Sequence, residues 1–300
     1  MAVFGNSNPS RYPSGFGRRG VSIRGVPILS SYPNKVFWVH SGTGAAGNDG
    51  SENAPFSTID RAFSFCTANR GDVIMVKAGH AETIAAAAGI DADVAGVSII
   101  GLGSGADMPE ITFATADAAD VDIDAANITI KGIRFLCARA SLTAGIDVNS
   151  TDFTLEDCEF YESATTGLVW VDINGGAANA CDRAKIIGNR FYCATAGNWD
   201  RAIELGEVAD GVEIVGNVII GDFDDAAIHN ITGKVLTNLL IANNYVRNNQ
   251  AGQHAIELVS ACTGAAFDNR LVTNALATSF DAGALSCMGN LWQITTGGDV

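Results

Sequence analysis

Ile186-Ile187-Gly188-Asn189-Arg190-Phe191, Ile214-Val215-Gly216-Asn217-Val218-Ile219 and Ile241-Ala242-Asn243-Asn244-Tyr245-Val246 repeat one six-residue phrase. Ala266-Phe267-Asp268-Asn269-Arg270-Leu271 and Cys287-Met288-Gly289-Asn290-Leu291-Trp292 continue it towards the C-terminus. Upstream, Leu155-Glu156-Asp157-Cys158-Glu159-Phe160 and Ile130-Lys131-Gly132-Ile133-Arg134-Phe135 keep the pattern without the asparagine, and Ile99-Ile100-Gly101-Leu102 is a weak first copy. The fourth positions fall at 102, 133, 158, 189, 217, 244, 269 and 290, so the units are 21 to 31 residues long.

A recurrence of this length marks a solenoid. Within each unit the apolar residues are short and alternate, which selects strands over amphipathic helices. The chain therefore reads as all-β, a single-stranded parallel β-helix whose corner loops vary in length. Five consecutive units place asparagine at the fourth position: Asn189, Asn217, Asn244, Asn269 and Asn290. A strand that bends sharply needs a residue tolerating left-handed φ/ψ, and asparagine does so best after glycine. Stacked rung on rung, such amides satisfy one another as an internal ladder. A second column supports the coils: Gly145-Ile146-Asp147, Gly167-Leu168-Val169, Ala202-Ile203-Glu204, Ala227-Ile228-His229, Ala255-Ile256-Glu257 and Ala284-Leu285-Ser286. In each, a small residue precedes an inward aliphatic, and the next residue points out.

Before the repeats, Val36-Phe37-Trp38-Val39 reads as a strand and Gly47-Asn48-Asp49-Gly50 as a turn. Ser57 is placed to cap a helix over 58–67, with Ile59, Ala62, Phe63 and Cys66 on one apolar stripe. Val73-Ile74-Met75-Val76 is then a buried strand. The order Gly47-Asn48-Asp49-Gly50, Pro55-Phe56-Ser57-Thr58-Ile59, Gly71-Asp72-Val73-Ile74-Met75-Val76 and Gly79 to Glu82 resembles the start of many right-handed β-helix proteins of the pectin-lyase-like superfamily. His80-Ala81 departs from that pattern, where tyrosine is common. The resemblance covers residues 36–82. It implies the right-handed fold with an N-terminal capping helix; it does not choose among the lyases, hydrolases and non-enzymatic viral spikes that share the fold.

Residues 1–35 differ from the rest. They hold four of the six prolines and five of the 18 basic residues, and no acidic ones. The division expected is a basic docking arm over 1–35, a lead-in and cap over 36–96, and β-helix coils over 97–300. The arm is expected to extend from the body, with Arg11, Arg18, Arg19 and Arg24 reaching carboxylates of another chain.

The net charge of −15 disfavours nucleic acid as a partner. No apolar run approaches the ~20 residues that span a bilayer, so no membrane role is expected. The seven cysteines lack CxxC spacing and read as small buried apolar residues. No cofactor or metal is implied by His40, His80, His229 and His254, whose spacing is not that of a ligand set.

For chemistry, the outward column Asp147, Glu204, His229, Glu257 is the best candidate. Stacked carboxylates suit a glycosidase acid/base pair or a calcium site of a polysaccharide lyase. A second cluster is Asp222-Phe223-Asp224-Asp225 with His229 behind it, which faintly resembles the acidic cluster of polygalacturonase-like hydrolases; the Gly-His-Gly and Arg-x-Lys that accompany it there are missing. If the chain is an enzyme, Glu204, Asp224, Asp225 and His229 are its candidates. Arg201, beside Asp200, looks isolated, and Trp199 is placed on a sugar-binding loop or an interface.

Arm, acidic body and missing catalytic motifs together suggest a structural protein of a phage particle, a capsid decoration (cement) or spike-like surface protein made in the host cytoplasm and residing in the virion. Its partners would be sister subunits in a homotrimer, by analogy with other β-helices, and a capsid or other particle protein. The alternatives are a polysaccharide-degrading depolymerase and a non-catalytic carbohydrate-binding adhesion module; either would meet a surface carbohydrate.

Overall fold

In the computed structural model the chain winds as a parallel β-solenoid. The structure describes residues 34–162, 167–193, 199–259, 261–274 and 280–295, plus the backbone of 21–23 and 26–28; in 294–295 only the backbone is described. Arg11, Arg18, Arg19 and Arg24 lie outside the described residues. Within the arm, Val21–Ile23 and Val26–Ile28 pair as an antiparallel ribbon.

Three parallel sheets form the walls. The first has ten strands, from Val36–Val39 to Ser286–Met288; the second nine, from Ala81–Ile84 to Leu291–Thr295; the third eight, from Ile90–Asp91 to Phe280–Asp281. Each coil visits them in turn. The first sheet begins at Val36–Val39, and within residues 36–96 Val73–Val76, Ala81–Ile84 and Ile90–Asp91 supply a strand to each of the three sheets. The helix is shorter than the apolar stripe suggests. It spans Ile59–Phe63, capped by Thr58, whose Oγ1 accepts from the Arg61 backbone N–H at 3.2 Å. Cys66 lies beyond it, half-buried in a turn, because the chain must fold back into the strand Val73–Val76.

Alternation makes the core. Phe135, Phe160 and Phe191 occupy one register position on adjacent rungs, and their rings stack at 4.9 and 4.4 Å. Trp170 and Trp199 stack at 4.3 Å. Trp199 is fully buried in the strand Trp199–Leu205, so it offers no ring to a sugar loop. All seven cysteines are free thiols, five of them buried.

The turn from the first sheet to the second carries the asparagines. Asn189, Asn217 and Asn244 each donate Nδ2 and backbone N–H to the Oδ1 of the next rung, and Asn269 does the same to Asn290. The second Nδ2 hydrogen goes to a carbonyl on the preceding coil, such as Ile186 O for Asn217 at 2.8 Å. The left-handed residue is the one before: Gly188, Gly216, Asn243, Asp268 and Gly289 have φ between 54° and 69°. The asparagines are therefore selected by their amides and not by φ.

Candidate active site on the third sheet

Six of the eight third-sheet strands contain a triplet of aliphatic, polar and apolar or asparagine residues: Val121-Asp122-Ile123, Ile146-Asp147-Val148, Val171-Asp172-Ile173, Ile203-Glu204-Leu205, Ile228-His229-Asn230, Ile256-Glu257-Leu258. The flanking residues are buried, and parallel register stacks the middle ones. Asp91 precedes the column and Asp281 follows it, giving seven acids and one histidine on eight rungs.

Two expected triplets are thereby replaced. Val171-Asp172 takes the place of Leu168-Val169, because the strand Gly167–Ile173 has an irregular alternation that hides its register. Asp281 takes the place of Ser286, which belongs to the first sheet. Asp172 was legible as a third aliphatic-Asp-aliphatic triplet after those at Asp122 and Asp147.

Arg201 is not isolated. Its Nη1 donates to Glu204 Oε2 and its Nη2 to Asp225 Oδ2, while its Nε has no partner. Asp225 arrives from the next corner, where its N–H donates to Asp200 O at 3.2 Å. His229 follows Glu204 in register; its Nε2 is 4.0 Å from Glu257 Oε2 and its Nδ1 has no partner. His254 approaches Glu257 from the other side at 3.6 Å. Asp224 turns away and accepts from Gln250 Nε2 at 2.6 Å. The structure thus gathers Glu204, Asp225 and His229 around Arg201 and separates Asp224 from them.

Burial is the largest influence on these acids. It pushes Asp172 up to about 7, with the negative charges of Glu204 and Asp147 adding to it and Arg201 opposing. Asp147 and Asp122 rise to about 6, burial leading and a hydrogen bond with Asn149 opposing in each case. Burial also raises Glu204, but the Arg201 charge and hydrogen bond hold it back. His229 is lowered by burial and then by Arg201, which favours the neutral ring.

The column is linear, one side chain per rung. Among the described residues no three His, Cys, Asp or Glu side chains converge as a metal site. Burial raises both neighbouring carboxyls, Asp172 and Glu204, and Glu204 is the one hydrogen-bonded to the Arg201 guanidinium, an asymmetry of the kind an acid/base couple uses.

No family model and no curated relative matches the chain. Among solved structures, the pectate lyase Pel9A superposes with a TM-score of 0.62 at 14% identity, over 87% of this chain and 71% of that one. A rhamnogalacturonan lyase gives 0.47 at 10% identity, covering 87% of each chain. An alginate lyase from Paenibacillus sp. str. FPU-7 gives 0.42 at 15% identity, over 88% of this chain and 98% of that one. The chain has the pectate-lyase-like right-handed parallel β-helix fold. At such identities the likeness defines the fold and leaves activity to the site.

Proposed function

We propose that this protein is a polysaccharide-degrading enzyme with its active site on the third-sheet column, centred on Asp172 and Glu204. The observation that carries the reading is a pair of carboxyls on adjacent rungs of which Glu204, and not Asp172, is hydrogen-bonded to the Arg201 guanidinium. Adjacent rungs stand about 4.8 Å apart, close to the ~5–5.5 Å between acid and nucleophile in retaining glycoside hydrolysis. Asp172 donates its proton to the glycosidic oxygen as that bond breaks, and Glu204 forms an ester bond to the anomeric carbon. Asp172, now ionised, takes a proton from water, whose oxygen displaces Glu204. Arg201 is a positioning residue: it hydrogen-bonds Glu204, opposing the rise that burial imposes there, and binds Asp225 of the next corner. The pectate lyase Pel9A, which shares the fold, supports a glycan as substrate. The particle-surface role, suggested by the arm, the acidic body and the missing catalytic motifs, has no support of this kind.

The test is release of reducing ends from a panel of polysaccharides. Asp172→Asn and Glu204→Gln are expected to lower kcat by about 10²–10⁴. Unsaturated products would instead move the chemistry to elimination, with the unpartnered Nδ1 of His229 as base. Absence of turnover across the panel would overturn the proposal.

A further inference from the structure

The exposed side of the second sheet has a chemistry opposite to that of the third. From the strand Arg190–Cys193 to the strand Leu291–Thr295, five rungs place Arg190, Tyr192, Val218, Ile220, Tyr245, Arg247, Arg270, Val272, Leu291 and Gln293 at the outward register positions. None of the ten is acidic, in a chain with 33 acidic residues. On the rung just before it, Glu159, the register partner of Arg190, is paired to Arg134 at 2.9 Å. Arg190 and Arg270 have no carboxylate partner among the described residues; Arg270 instead lies 5.8 Å from the Tyr245 ring centroid. The surface is cleft. One hollow of about 380 Å³ lies among Tyr161, Arg190, Tyr192 and Ile220, and another of about 250 Å³ among Tyr245, Arg270, Val272 and Gln293. Tyr192 is 47% exposed.

We infer that this face is a binding site for an acidic glycan, lying along the solenoid axis with its carboxylates on Arg190 and Arg270. Guanidinium forks pair bidentately with planar carboxylates. Tyrosine rings and branched aliphatics offer flat apolar platforms to the C–H faces of sugar rings, with phenolic hydroxyls left for the sugar's polar rim. Arg190 and Arg270 are three rungs apart, about 14 Å, which asks for an extended chain and not a single small anion. The inference goes beyond the enzymatic proposal, because this face lies on another sheet and binds whether or not Asp172 and Glu204 cleave.

The experiment is affinity electrophoresis of the whole chain in gels containing alginate or neutral dextran. Alginate is expected to retard the protein, less so as salt is added, and dextran is not. Arg190→Ser and Arg270→Ser should each weaken the apparent Kd about tenfold while melting like the parent. Arg183→Ser, which removes an arginine paired to Asp152 at another corner, should leave binding unchanged. Asp172→Asn should bind like the parent even if catalysis is absent, which separates this site from the third-sheet one. Lack of retardation by alginate, or retardation that survives the Arg190/Arg270 double variant, overturns the inference. So does sedimentation showing a self-associated parent that the double variant turns into monomer, which would assign the face to a second copy of the chain.

Discussion

Asp172 stands directly opposite Glu204 in the third sheet, and the Arg201 guanidinium donates to Glu204. Burial raises the proton affinity of both carboxyls and Arg201 opposes the rise in each, and the pH behaviour of the site follows. In the proposed mechanism Asp172 gives up a proton, so activity should fall as pH rises through about 7. In Glu204→Gln the neighbouring charge is gone, and the Asp172 midpoint should drop. Carboxyl NMR titration of parent and variant measures both; an unmoved midpoint would contradict the coupling.

The same groups set stability against pH. Asp122, Asp147 and Asp172 rise to about 6, 6 and 7 in the folded state, against ~3.9 unfolded. Between those values the native state binds more protons than the unfolded one, so stability falls as pH rises through that window. Asp172→Asn removes part of this penalty. Its melting temperature should exceed the parent's by roughly 3 °C at pH 8 and match it near pH 4. Equal melts at both pH values would count against a buried, proton-favouring carboxyl.

Arg201→Leu leaves Glu204 and Asp225 without their shared cation. Because Glu204 is 6% exposed, the loss should cost about 2 kcal/mol in urea unfolding at pH 8. At pH 5, where Glu204 takes up a proton more readily, the cost should shrink. A cost independent of pH would point to packing alone.

Asn217→Leu removes the acceptor of the Asn189 amide groups and both side-chain donations of Asn217. Buried groups left unpaired make this a loss of about 3 kcal/mol by denaturant unfolding. Asn243→Gly, at the adjacent left-handed position (φ 57°), should be neutral or slightly stabilising, since glycine adopts that conformation freely. The reverse ranking would mean that backbone conformation, and not the amide ladder, selects the column.

Gly101→Ala tests how tightly coils approach. A Cβ there would lie 2.1 Å from Gly132 O on the next rung. Backbone must move to admit it, at a cost of about 3 kcal/mol. A melt like the parent's would show that the rungs separate easily.

The coil repeat and the asparagine column were legible because each is local: a period-2 apolar phrase and a bend recur in every coil, whatever the loops between them do. The pairing of Asp172 with Glu204 was not. The strand Gly167–Ile173 has an uneven alternation of buried and exposed residues, so the rung partner is settled by hydrogen bonding to neighbouring coils and not by spacing along the chain. Arg201 and Asp225 lie 24 residues apart, and whether they meet depends on the circumference of one coil, which the corner loops set. Protonation lies furthest from the sequence. Asp122, Asp147 and Asp172 are the same residue as any exposed aspartate, and only the walls closing around them raise their proton affinity.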